Sequence, residues 1–164
     1  MNTQQAVLAA VLATLASGAG AATDSTSFNV KIIITNTCDI HTTAATDVNF
    51  GSVASTATNV DAAGQLNVTC TPLAAYTIGL DNGQNGTSVS TRKMKDAGTN
   101  LVPYQLYKAA ARGAGDVWGS TVGTDLYSGT GTGLAQAIPV YGRVPGANFP
   151  AGSYNDVVTA TITY

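Results

Sequence analysis

Phe28-Asn29-Val30-Lys31-Ile32-Ile33-Ile34-Thr35 carries the clearest β signal in the chain. Phe28, Val30, Ile32 and Ile34 fall on one side of a period-two pattern, and Asn29, Lys31 and Thr35 fall on the other, with Ile33 the apolar exception. Aromatic and β-branched side chains at alternate positions fit a strand with one buried face. The same grammar recurs at 48–53, 64–70, 76–80, 102–107, 117–118, 134–144 and 157–164, and no segment reads as a long helix. Turn or loop compositions lie between them at 81–86, 113–115, 128–133 and 145–146, rich in Gly and Asn that accept positive φ. Short strands at this spacing predict an all-β sandwich or barrel. Pro139 lacks a ladder N–H and is expected at an edge position or beside a bulge.

The composition agrees. The 164 residues are 45% hydrophobic, enough for one core, and only 10% charged, with a formal net charge of -2. Binding to nucleic acid or to an anionic membrane needs concentrated Lys and Arg, which this balance excludes. A surface polar through Thr, Asn and Ser instead of charge fits a protein working outside the cell. Residues 6–16, AVLAAVLATLA, are followed by Ala19-Gly20-Ala21. The run is too short for the roughly 20 residues of a membrane-spanning helix but has the grammar of an export signal cut after residue 21. Residues 1–21 are therefore expected to be a signal peptide, with no membrane insertion.

Cys38 and Cys70 have no third cysteine, no Cys-x-x-Cys partner and no His cluster beside them, so neither a metal site nor a redox motif is indicated. In an exported chain an even pair reads as a disulfide; two buried free thiols are the alternative. Closing a loop of about 30 residues stabilises by roughly 3 to 4 kcal/mol.

Catalytic chemistry has little to work with. There is no Glu, His41 is the single His, and the nine Asp residues are scattered through turn-like contexts where they are expected to cap turns. Gly129-Thr130-Gly131-Thr132-Gly133 lacks the Lys and the strand-to-helix setting of a phosphate loop. Arg92, Lys93 and Lys95 form a basic cluster that reads as a solvated hairpin end. No enzyme and no cofactor are predicted.

The two ends carry the functional signal. Val158, Ala160, Ile162 and Tyr164 alternate up to the last residue, and an apolar strand of that kind, like 28–34, needs a partner to cover it. Either the two ends serve one domain, or the first strand is given to another copy by β-augmentation.

Over essentially its whole length the sequence resembles the spore coat U domain family, which includes the major pilins of archaic chaperone-usher pili. The resemblance rests on an ordered set: Phe28-Asn29-Val30-Lys31-Ile32 before Thr37-Cys38, Val48-Asn49-Phe50-Gly51, Leu66-Asn67-Val68-Thr69-Cys70, and Tyr76-Thr77-Ile78-Gly79-Leu80. It continues through Arg92-Lys93-Met94, Tyr104-Gln105-Leu106-Tyr107, Val117-Trp118-Gly119, 138–145 and Gly152-Ser153-Tyr154-Asn155-Asp156. The stretch 108–116 departs from the family by a longer path to the Trp.

The resemblance implies an incomplete immunoglobulin-like β-sandwich completed by an intermolecular donor strand. It divides the chain into a signal peptide (1–21), a donor segment (22–36) with Phe28, Val30, Ile32 and Ile34 as donor residues, and a pilin body (37–164). It gives Cys38–Cys70 as the disulfide, and Val158, Ala160, Ile162 and Tyr164 as the acceptor-groove edge. The implied partners are neighbouring copies in a homopolymer, a periplasmic chaperone, an outer-membrane usher, and minor or tip pilins. The implied product is a bacterial surface fibre that supports adhesion and biofilm formation. The competing reading is a non-polymerising secreted surface- or carbohydrate-binding β-sandwich module using Trp118 and the seven Tyr as a binding face.

Overall fold

Two long strands, β2 (Thr58–Cys70) and β8 (Ala135–Gly146), pair antiparallel with Gly64 opposite Val140 and Leu66 opposite Ile138 in this computed structural model, which describes residues 20–41 and 43–164. The signal-peptide reading of residues 1–21 falls almost wholly outside the described residues. The chain divides into two units, one ending at Ile33 and one comprising Ile34–Tyr164. In the first, residues 20–33 form neither helix nor strand, and Phe28, Val30 and Ile32 are 84%, 86% and 84% exposed.

The second unit is the body. Its larger sheet has the order β1-β2-β8-β6, with β1 at Cys38–Asp39 and β6 at Gln105–Tyr107. The smaller sheet has the order β7-β3-β9, with β3 at Ala75–Leu80, β7 at Tyr127–Thr130 and β9 at Ala160–Thr163. A short hairpin pairs β4 (Lys93–Lys95) with β5 (Leu101–Pro103). The two larger sheets supply the core through alternate residues: Val68, Cys70, Ile138, Val140 and Val144 from one, Tyr76, Ile78 and Leu80 from the other. Trp118 fills the space among them and is fully buried, its indole N–H donating to the Ile78 carbonyl at 2.9 Å.

Pro139 shows why the sheet tolerates a proline. Gln65, opposite Pro139, exchanges both backbone hydrogen bonds with Thr46 on its other side, so Pro139 directs its nitrogen away from β2. The β6 pairing stops at Tyr141, so no ladder bond is lost there. The expectation of a local edge holds.

Several expected strands are revised. Residues 48–53 keep their alternation without joining a ladder: Val48 and Phe50 lie over Gly142 on the inner face of the large sheet, where any Cβ would meet them. Gly64 likewise leaves room for the backbone of Thr46 and Asp47. The stretch 102–107 is two strands, because the chain changes sheet at Tyr104, whose N–H is taken by the Arg92 carbonyl at 3.1 Å. Residues 117–118 bridge the sheets instead of extending one: Trp118 N–H donates to Leu106 and Leu80 N–H donates to Gly119, both at 2.9 Å. At the other extreme, 128–130 and 145–146, expected as loop, extend β7 and β8.

Candidate functional site

The site is an edge. β9 closes the small sheet on one side, pairing β3 with Ile78 opposite Ile162 and Leu80 opposite Ala160. Asp81 N–H donates to the Thr159 carbonyl at 3.1 Å, which fixes the parity: Thr159, Thr161 and Thr163 direct their backbone groups to β3. Val158, Ala160 and Ile162 therefore direct theirs to the free edge. The same three residues turn half-buried side chains onto the core, because side-chain direction and hydrogen-bond direction share a period of two. Tyr164 follows in phase and is 58% exposed.

Facing this edge is β1, the border strand of the other sheet. An open cleft of about 770 Å³ runs between them, with Cys38, Ile40, His41 and Thr69 on one wall and Ile162 and Tyr164 on the other. Cys38 and Cys70 are joined by a disulfide across a sequence separation of 32, tying β1 to the end of β2. Just before it, Thr37 and Thr71 bind reciprocally, Thr37 N–H to Thr71 Oγ1 at 3.0 Å and Thr71 N–H to the Thr37 carbonyl at 2.9 Å. The chain enters β1 with no turn or bend over residues 34–37, and Ile34 is 77% exposed.

Behind β9 lies a buried polar cluster that the sequence did not announce. Arg92, expected at a solvated hairpin end, is fully buried. Its guanidinium donates to the carbonyls of Asp81 (2.9 and 2.6 Å), Leu80 (3.1 Å) and Trp118 (2.8 Å), so it fastens β3 to the bridging segment. Burial pulls its pKa down, while Tyr104 and the nearby Asp81, Asp125 and Asp156 oppose that pull. Asp156 accepts from Tyr104 Oη at 2.6 Å, Gln84 N–H at 2.9 Å and Asn85 Nδ2 at 3.0 Å, closing the loop at 81–86 onto the start of the C-terminal segment. Burial, then the hydrogen bond to Asp156, push the Tyr104 phenol well above its ordinary range. A lone Arg between Thr91 and Lys93 gives no pattern that separates this role from a surface one.

The Asp residues largely act as turn caps. Asp81 Oδ1 accepts from Gly83 and Thr159 N–H, Asp96 Oδ1 from Gly98 and Asn100, Asp125 Oδ1 from Thr121, and Asp39 Oδ1 from His41. Asp61 differs, forming a two-pronged pair with Arg143 at 2.7 and 2.8 Å. Those hydrogen bonds hold its carboxyl below the usual range. Arg112, at the tip of the longer 108–116 path with φ of 53°, reaches the carbonyls of Gly142 (3.1 Å) and Ala62 (3.2 Å) and pins that segment to the large sheet. Among the described residues no three His, Cys or Asp side chains gather to hold a metal ion. Trp118, the anchor of the carbohydrate-binding alternative, is interior and unable to face a ligand.

An all-β body of two facing sheets, bordered among the described residues by an inward-facing strand, β9, that is paired with β3 on one side only, resembles the pilin-type immunoglobulin-like class. Residues 24–161 match the Spore Coat Protein U domain, and the chain belongs to that family. It is 37% identical to Protein U of Myxococcus xanthus over an alignment of 182 positions that spans all of both chains. In three dimensions it is similar to a chain in the crystal structure of the CsuC-CsuE chaperone-tip adhesion subunit pre-assembly complex, from archaic chaperone-usher Csu pili of Acinetobacter baumannii. That match has a TM-score of 0.56 and 23% identity, covering 80% of this chain and 40% of that one. The likeness is one of fold, an all-β arrangement resembling the pilin-type folds seen in chaperone-usher structures.

Proposed function

We propose that the protein is a non-catalytic structural subunit of an extracellular fibre, assembled by donor-strand complementation. Residues 22–36 of one copy fill the groove of the preceding one, with Phe28, Val30, Ile32 and Ile34 entering the core and the acceptor edge formed by Val158, Ala160, Ile162 and Tyr164. The observation that carries this reading is β9, whose inward-facing residues are only half-buried and whose polar backbone edge borders an open cleft. Opposite it in chemistry stands an exposed row of four apolar side chains with the matching period.

Each of those side chains is worth roughly 1.5 to 3 kcal/mol on burial before ordering costs, and the ladder bonds come with them. Exchange of a looser chaperone strand for the subunit strand then drives assembly without a hydrolysed nucleotide and leaves a product of high kinetic stability. A periplasmic chaperone and an outer-membrane usher are the partners, with minor or tip pilins capping the polymer. The product leaves the periplasm for the bacterial surface, where it supports adhesion and biofilm formation. Denaturing gels of native material test this: unboiled samples should give a ladder of multiples of one mass that collapses on boiling. A single monomer band in both lanes would refute it.

The family's description favours one variation, assembly into a spore-coat layer through the same interface. Electron microscopy of the polymer separates a layer from fibres.

A further inference from the structure

The loop at 81–86 holds the chain's two Asn-Gly dipeptides, Asn82-Gly83 and Asn85-Gly86, and strand donation makes no use of them. Asparagine loses its amide most readily before glycine, which has no Cβ to shield its nitrogen and bends freely. The glycine nitrogen gives its proton to hydroxide and attacks the asparagine Cγ. The bond from Cγ to the side-chain nitrogen breaks, ammonia leaves with a proton from water, and a succinimide ring closes. Water then opens either ring bond, leaving aspartate or isoaspartate.

Neither glycine is free to change. Gly83 has φ of 70°, and a Cβ at Gly86 would meet the Asn82 carbonyl oxygen at 2.5 Å. Protection therefore has to come from the contacts around the loop. Asn82 is held within it: Asn82 Nδ2 donates to the Gly86 carbonyl at 3.0 Å, and Gly83 N–H to Asp81 Oδ1 at 2.9 Å. The Asp81 carboxylate opposes the amide anion that attack at Asn82 requires. Asn85 is held from outside, its Nδ2 donating to Asp156 Oδ1 at 3.0 Å. Among the described residues no hydrogen bond engages Gly86 N–H, so Asp156 is the restraint on this dipeptide. Asp156 belongs to the segment leading into β9, and Thr159 in the same segment binds Asp81 through Thr159 N–H to Oδ1 at 3.0 Å.

β9 is paired on one side only, and such an edge opens locally at small cost. We propose that Asn85 is a deamidation site governed by the groove, protected while a donor strand steadies β9 and the 156–159 segment, and released in a subunit whose groove stays unfilled. Amide loss then marks subunits that fail to assemble. The carboxylate formed at position 85 faces that of Asp156, and the like charges keep the segment loose. This inference rests on the donor-strand reading.

Peptide mass spectrometry over a time course in mildly alkaline buffer, counting the gain of one mass unit at each asparagine, tests it. The unfused subunit is compared with one carrying a second copy of residues 26–35 after Tyr164. Asn85 should convert roughly five-fold or more faster in the unfused form, with Asn82 lagging behind it. In the fused form, Asp156→Ala should restore fast conversion at Asn85 alone. Tyr104→Phe, which removes another bond to Asp156 and leaves Asn85 held, should not.

Equal Asn85 rates in the two forms, with the fused one melting higher, would overturn control by the groove and leave strand donation standing. An unchanged rate in Asp156→Ala, or equal acceleration at Asn82 and Asn85 there, would overturn the restraint assigned to Asp156. Equal melting of the fused and unfused forms would overturn strand donation itself, and control by the groove with it.

Discussion

Thr37 and Thr71 hold each other through both backbones, Thr37 N–H to Thr71 Oγ1 at 3.0 Å and Thr71 N–H to the Thr37 carbonyl at 2.9 Å, one residue from the Cys38–Cys70 disulfide. The anchor is thus doubly tied at the point where the apolar N-terminal segment leaves the body. Replacing both cysteines by Ser should lower unfolding free energy by about 3 to 4 kcal/mol, measured in urea on a strand-complemented subunit. Thr71→Ala should cost about 1 kcal/mol. Unchanged midpoints in both would deny the anchor a structural role.

Arg92 should be among the least replaceable side chains. Arg92→Met leaves three carbonyls without their charged donor and should cost on the order of 3 to 5 kcal/mol. Arg92→Lys should recover only part of this, because a single ammonium cannot span carbonyls on two segments. Thermal melting of both variants provides the check, and a Lys variant as stable as the parent would contradict the bridging of β3 to the Trp118 segment by Arg92.

The pH profile should fall at both ends. Hydrogen bonds from Arg143 hold Asp61 low, and the side chain of Asn100 holds Asp96 low. Burial opposes ionisation of Asp81, but the N–H groups of Gly83 and Thr159 outweigh it and its carboxyl also lies low. A depressed carboxylate contributes stability above its unfolded pKa of about 4, and that contribution is lost as pH falls through the folded value. Tyr104 runs the other way: burial, followed by the bond to Asp156, raises its pKa. Its contribution is full below about pH 10, the unfolded value, and declines as pH rises above it. Tyr104→Phe should remove much of the alkaline decline and leave the acid limb intact, as read from unfolding midpoints between pH 3 and 11.

Phase within the donor segment gives a further test. Ile32→Asp puts a charge in the row assigned to the groove and should abolish the gel ladder. Ile33→Asp, one residue on and in the opposite phase, should leave it. Both residues are exposed in the subunit, at 84% and 89%, so neither change should disturb folding of the body. Equal behaviour of the two would count against a strand inserted in register.

The core strands were legible because their alternation matches burial: Val140 and Val144 are inside, with Pro139 and Pro145 outside. The all-β class, the cysteine pair and the local edge at Pro139 followed from residue chemistry alone. The segment at 48–53 misled because packing of Val48 and Phe50 over Gly142 produces the same alternation without a ladder. Arg92 was hidden for a different reason. Its burial depends on carbonyls contributed by β3 and by the segment around Trp118, which come together only after both sheets form. The Thr37–Thr71 tie is likewise a product of tertiary contact.

A subunit carrying a second copy of residues 26–35 after Tyr164 should settle whether the body is one strand short. The added strand is predicted to fill the subunit's own groove, giving a monomer in unboiled gels that melts more than about 10 °C above the unfused subunit. Equal melting of the two, or continued polymerisation of the fused form, would contradict donor-strand complementation.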